Sequence, residues 1–459
     1  MKKLVCLFLL MFPLIAFNQQ PWYKSAPLGF AWKGEGNEGF SAGQVNYTSL
    51  AFSPADGKQY LAFQDMTNSG KVTVMNFDGS EWNIVGSAGF SAGAAHFIGL
   101  VFSPSGQLYV AYSDSANSWK TTVMQFNGTN WINTGNAGFS AGEADYVSLV
   151  FDTTDSHIYV AYSDFGASKK ATVMKFDGNN WVIVGTQGFS AGVANYTNLA
   201  INQAGQPCVA YSDSVNSKKA TLMKFDGTNW TSVGNVGFSA GGALYTSVAF
   251  SPAGEPYVAY VDNGNSGKTT VLRYHGTNWL IVGQAGFSAG QAAYLSLAFN
   301  PSDGHPYLAF QDWQRSFKAT VMNYSAVSWL NVGSAGFSKG KADYTSLAFS
   351  PSGEPNVGFV DHANSEKATV MKFDSVYVGV GEKEKITFTI YPNPATDKIT
   401  IETNLSAQCS VLNAVGREFI HQELTQPKSV IDVSTLPSGI YMVKLTSVKE
   451  VRVGKFIRQ

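Results

Sequence analysis

The sequence predicts an all-β chain, a seven-bladed β-propeller of four-stranded blades closed by an N-terminal strand, with a small C-terminal β-sandwich after it. Three observations predict this. The pentapeptide Gly-Phe-Ser-Ala-Gly begins at Gly39, Gly89, Gly138, Gly188, Gly237, Gly286 and Gly336, spaced by 49 or 50 residues, and only Lys339 departs from it. Each copy lies seven residues after a tryptophan: Trp32, Trp82, Trp131, Trp181, Trp230, Trp279 and Trp329. Each unit also holds four short runs of β-branched and aromatic residues separated by turn residues. A fixed period of this length built from short strands belongs to propellers and arrays.

One unit shows how the elements arise. Tyr196–Ile201, Cys208–Asp213, Ala220–Phe225 and Trp230–Gly234 each read as a strand. Asp78-Gly79, Asp177-Gly178 and Asp226-Gly227 supply the positive φ of tight hairpins, and Ser-Pro turns such as Ser103-Pro104 join the first two strands. The first tryptophan strand, Ala31 to Gly36, precedes any Tyr-Thr-Ser-Leu run, whereas the last unit stops after Ala368–Phe373 without a tryptophan. The N-terminal strand is therefore expected to complete the seventh blade and remove the edges of an open array. The propeller is expected over residues 22–374, a linker over 375–385 and the sandwich over 386–459.

Composition narrows the function classes. Charged residues make up 14% and the net charge is −1, so neither nucleic acid nor an anionic membrane surface is indicated. Cys6, Cys208 and Cys409 give no disulfide framework. Residues 1–18 read as a secretory signal peptide: Lys2 and Lys3 precede an apolar run from Leu4 to Phe17, too short for a membrane span. No later segment is long and apolar enough to cross a bilayer, so an exported, soluble monomer is expected.

The repeats resemble propeller folds broadly, secreted propeller lectins among them, without matching a named repeat. The Gly-His and Trp-Asp signature of WD40 repeats is missing. The Asp-Gly-x-x-Trp turn is similar to the Asp-box of sialidases, yet Asp and Gly are adjacent and the preceding Ser is absent. Arg273 and Arg315 are the two arginines of the repeats, too few for the arginine triad of a sialidase. In the C-terminal region, Tyr391-Pro392-Asn393-Pro394 and Leu436-Pro437-x-Gly439-x-Tyr441 lie among alternating strands. These motifs closely resemble the type A C-terminal sorting domain of the type IX secretion system of Bacteroidetes. The resemblance implies the type IX machinery as a partner, passage through the outer membrane, and then release or attachment to surface lipopolysaccharide.

Candidate sites lie on one face. Connections between blades and hairpins between second and third strands share it, and the opposite face has short turns with little to offer a ligand. Asp65, Asp114, Asp164, Asp213, Asp262, Asp312 and Asp361 each precede a Lys by six residues: Lys71, Lys120, Lys170, Lys219, Lys268, Lys318 and Lys367. Each Asp is expected to cap its hairpin, with the Lys beside it as a weak exposed pair. In the inter-blade loops, Phe90, Phe139, Phe189, Phe238 and Phe287 are expected to wedge between blades, and the tryptophans to fill the inter-blade core. The functional alternative makes those rings floors for sugar rings, flanked by Ser91, Ser140, Ser190, Ser239 and Ser288. Recurrence in every blade would suit multivalent recognition of extracellular carbohydrate. Just before the innermost aromatic of each blade stand Asn46, His96, Asp145, Asn195, Leu244, Ala293 and Asp343, expected to ring the channel mouth. His96, Asp145 and Asp343 could converge there for acid–base work, as in a secreted polysaccharide-active enzyme. A purely structural surface protein is the third class. No catalytic motif, cofactor signature or metal-ligand spacing is found.

Overall fold

In the computed structural model, the described residues are 29–376, 388–403, 406–446 and 451–459, so the signal segment and linker residues 377–385 lie outside them, while 375 and 376 extend the last propeller strand. They form two compact units, residues 29–375 and 376–459.

The first unit is a seven-bladed propeller. Blade one runs Val45–Phe52, Gln59–Asp65, Lys71–Phe77 and Trp82–Ile84, all antiparallel, and the next five blades repeat that order. Blade seven takes its outermost strand from the other end of the sequence: the sheet order is Gly29–Gly34, Lys367–Val376, Pro355–Asp361, Ala342–Phe349. The closure expected from the tryptophan count is therefore present.

Second strands are buried on both faces because a neighbouring blade covers each side. Every residue of Pro207–Asp213 is buried. The core is accordingly not inside a blade but between blades. Tyr159, Ala161 and Val173 of blade three pack with Leu199, Val209 and Tyr211 of blade four, and the closing seam joins Val360 and Val370 to Leu61 and Trp82. Small residues face large ones across each seam, which lets the sheets interdigitate at interior density.

The tryptophans and loop phenylalanines lock the rim. Trp131 Nε1 donates to the Val85 carbonyl of the preceding blade at 2.8 Å, while Phe90 stacks on the Trp131 ring at 4.3 Å. The same pair recurs as Phe40–Trp82, Phe139–Trp181, Phe189–Trp230, Phe238–Trp279, Phe287–Trp329 and, across the closure, Phe337–Trp32.

The second unit is a small β-sandwich. One sheet holds Phe388–Tyr391, Lys398–Thr403 and Lys428–Asp432; the other holds Glu418–Leu424, Ala407–Asn413, Gly439–Thr446 and Val451–Arg458. Ile399, Ile401, Val411, Val443, Leu445 and Phe456 are fully buried between them.

Candidate functional site

On the long-loop face, the repeated polar groups are consumed by the fold. Asp213 Oδ1 accepts the Val215 N–H, and its Oδ2 accepts the Thr221 hydroxyl at 3.1 Å. Thr221 Oγ1 in turn accepts the Gly237 N–H at 2.9 Å, which pins the start of the next Gly-Phe-Ser-Ala-Gly loop. The relay is complete in every blade, from Asp65–Thr73–Gly89 to Asp361–Thr369–Gly39. A carboxylate buried among neutral donors needs its lone pairs engaged, and here they are taken by backbone N–H and threonine hydroxyl groups. The Asp is thus a cap, as expected, and more deeply buried than an exposed turn.

On this face the serines and the lysines differ from the readings above, while the phenylalanines pack between blades against the tryptophans. The hydroxyls of Ser91, Ser140, Ser190, Ser239 and Ser288 are not open beside an aromatic floor: each is buried, accepts a backbone N–H and donates to the glycine carbonyl two residues on. Phe90, Phe139, Phe189, Phe238 and Phe287 each give one ring face to a tryptophan. Among the described residues, no ion pair within 4.0 Å joins Lys71, Lys120, Lys170, Lys219, Lys268, Lys318 or Lys367 to its Asp, because the Asp turns inward to Thr and backbone. The seven lysines stand half-buried around the face without such partners.

The centre of the ring is built differently. Within each innermost strand the register slips by one residue, as between the pairs Asn195↔Ser212 and Asn198↔Ala210. That bulge puts one aromatic per blade at positive φ: Tyr47, Phe97, Tyr146, Tyr196, Tyr245, Tyr294 and Tyr344, all between 50° and 54°. A bulky L-residue there costs roughly 1 kcal/mol or more, where Gly or Asn would cost little. The result is that all seven rings point inward and touch their neighbours, with centroids 4.7–5.4 Å apart around a closed collar. Nothing in the sequence announces this bulge, since the residue in it looks like an ordinary strand aromatic.

The collar rings and the residues just after them line an open cavity of about 360 Å3, within the range of small-molecule pockets. Its wall includes Ser49, Gly99, Ser148 and Asn198, two residues after their aromatics. Ser49 Oγ accepts the Leu100 N–H and Ser148 Oγ accepts the Leu199 N–H, each at 3.0 Å, and Asn198 Oδ1 accepts the Val248 N–H at 2.8 Å. Among the described residues, these hydroxyls and the Asn198 amide N–H2 have no acceptor.

The mouth residues do not assemble into a catalytic set. Asn46 donates to Gln64, His96 stacks on Trp119 at 4.3 Å, and Asp343 lies 2.9 Å from Lys341 and 2.8 Å from His362. Asp145 is half-buried with its acidity weakened, first by burial and then by Glu143, while burial holds His96 below its ordinary pKa. No hydrogen bond or ion pair joins His96, Asp145 and Asp343 among the described residues; Asp343 is instead engaged by Lys341, His362 and, from blade six, Gln311. Asn195, Leu244 and Ala293 complete the circle. No group of three metal-ligating side chains occurs among the described residues.

The short-turn face is not bare, contrary to expectation. Two clefts of about 540 Å3 open between blades there, one beside Tyr159 and Lys175, the other beside Tyr257 and Arg273. Each cation is matched by a carboxylate, Lys175 by Asp155 at 3.3 Å and Arg273 by Glu255 at 3.5 Å.

In the sandwich, the motif residues serve the fold. Asn393 Oδ1 accepts the Ile457 N–H at 2.9 Å and its Nδ2 donates to the Lys455 carbonyl, tying the Pro392–Pro394 turn to the last strand. Tyr391 bonds Glu402, Leu436 is buried, and the Tyr441 hydroxyl donates to the Pro437 carbonyl at 2.9 Å, closing the turn that leads into Gly439. The deciding comparison concerns this unit. Residues 389–459 match the family described as the secretion system C-terminal sorting domain. This sorting domain directs the protein to the type IX machinery and so to the outer cell surface or the medium. No helix among the described residues is long and apolar enough to cross a membrane.

Among solved structures, similar chains include PorZ, a surface component of the type IX secretion system of Porphyromonas gingivalis. It is 14% identical with a TM-score of 0.46, over 91% of this chain and 60% of PorZ, so this chain spans less than two thirds of PorZ. A polysaccharide lyase, an ulvan lyase, is 11% identical with a TM-score of 0.46, over 76% of this chain and 96% of its own. The SapL1 lectin, in complex with α-methyl fucoside, is 16% identical with a TM-score of 0.44, over 62% of this chain and 95% of its own. No curated protein matches the sequence.

Proposed function

We propose that this is an exported binding propeller, led out by residues 1–18 and its sorting domain, that recognises extracellular carbohydrate at the channel mouth. The observation that carries this reading is the collar. Seven aromatics are held at an unfavourable φ that any of several smaller residues would adopt more cheaply, and all seven rings are thereby delivered to one opening. Strain of this kind persists where the side chain is wanted. Aromatic rings beside uncommitted hydroxyls and amides match the two surfaces of a sugar, apolar C–H faces and polar hydroxyls. The mouth is also where the blades differ, from Asn46 to Asp343, whereas the loops around it are nearly identical. Seven identical pockets between blades fit less well, because the serines proposed to line them are spent on backbone.

An array of neutral and uronate-containing oligosaccharides tests this. The full chain is expected to bind a subset of neutral glycans, and Asp145→Asn or Asn195→Ala to change the ranking while thermal unfolding stays put. An array without any signal above background is the result that rejects the reading.

A further inference from the structure

The hairpin tips around the collar differ from blade to blade, and two of them carry rings. Five residues after each capping Asp the backbone takes a positive φ, and the residue there is Gly70, Trp119, Lys169, Lys218, Gly267, Phe317 or Glu366. Blades one and five use glycine, which adopts this conformation at no steric cost. Blade two instead places Trp119 there at 59° and blade six Phe317 at 63°, large rings at a position that disfavours bulk. Trp119 stacks on His96 at 4.3 Å, and His96 lies 5.2 Å from the collar ring of Tyr47. Aromatic surface therefore runs from the collar out to the tip of blade two.

On blade six, Phe317 packs against Trp313 at 5.2 Å, and the two rings are 40% and 45% exposed. Trp313 is nevertheless fixed. Its indole N–H donates to Gln311 Oε1 at 3.1 Å, and the buried Gln311 amide donates to the Ala342 carbonyl at 3.0 Å and to Asp343. Lys341 and His362 hold the same Asp343. A solvent-facing ring already held by a buried relay loses little freedom when a ligand covers it. Collar contacts run in blade order, so blades two and six are separated by blades three to five on one side and by blades seven and one on the other. The two platforms thus face each other across the mouth, with Asn46, Asp145 and Asn195 among the polar residues between them. Separate small platforms with amides between them do not make the contiguous apolar patch that a protein partner covers. They match a linear saccharide, which presents C–H faces to aromatic rings unit after unit and hydroxyls along its edges.

We infer that the ligand is a linear neutral saccharide lying across the mouth, stacked on Trp119 at one side and on Trp313 and Phe317 at the other, with its middle over the collar. This rests on the carbohydrate reading above and adds to it two subsites and a binding mode. An internal stretch of a chain binds as well as a chain end, and affinity grows with length until both platforms are covered.

The other blades supply variants that the fold already accepts. Trp119→Gly and Phe317→Gly install the residue of blades one and five, and Trp313→Ser that of blades two and four. The probe is the neutral oligosaccharide that binds the full chain most tightly on the array, together with the same chain shortened one unit at a time. Affinity of the unaltered protein is expected to fall stepwise with shortening. On the longest probe, Trp119→Gly and the pair Trp313→Ser with Phe317→Gly are each expected to weaken binding about three- to tenfold, as for a lost aromatic stacking contact. The melting temperature is expected to hold or rise, because the positive φ is relieved at two of these positions. On the shortest probe that still binds, at least one of the two variants is expected to have no effect. Unweakened binding of the longest probe by both variants, or an affinity independent of length, overturns the spanning mode and leaves recognition at the collar standing. A lowered melting temperature with unchanged binding makes the rings structural and overturns it as well. Absence of any array binding removes both readings.

Discussion

Deleting the strand Gly29–Gly34 is expected to destabilise the propeller by about 3–5 kcal/mol or more, the range of a core Trp→Ala change before any lost sheet pairing is added. This short strand carries Trp32, which stacks on Phe337 at 4.0 Å and donates to the Val332 carbonyl at 2.7 Å across the last seam. Without it, Lys367–Val376 becomes an unpaired edge, and the inter-blade core around Val332, Phe359 and Met371 loses its cover. Trp32→Phe should have a smaller effect, since a ring remains for Phe337 while the N–H is lost. Thermal unfolding of the deleted and full chains decides the matter. Coincident melting curves would mean that the ring does not depend on its N-terminal strand.

Removing residues 389–459 is expected to abolish export while leaving the propeller folded. The sorting domain has its own core, from Ile399 to Phe456, and the propeller closes through Gly29–Gly34 without it. Fractionation of cells with a working type IX system should show the truncated chain in the periplasm with its normal melting temperature. Equal amounts of truncated and full-length protein outside the cell would contradict the assignment of export to this unit.

Much of the fold was legible because it rests on repetition. The tryptophan count placed the closing strand, and a large aromatic recurring beside glycines has few uses other than packing between blades, which is where the loop phenylalanines lie. The site was less legible for three physical reasons. A serine in a loop can face solvent or satisfy a backbone N–H, and Ser91 and its equivalents do the second. An Asp six residues before a Lys suggests an ion pair, yet Asp65 turns to Thr73 and Thr67 because burial favours fixed neutral donors over a flexible cation. The collar depends on a backbone bulge, and an aromatic such as Tyr196 carries no mark of a positive φ.

The central claim, one axial carbohydrate site in place of seven between blades, is tested most directly by stoichiometry. Calorimetric titration of the array-selected neutral oligosaccharide into the full chain should give one site per chain. A value near seven would return recognition to the repeated loops around Phe90 and its equivalents and contradict a site at the collar.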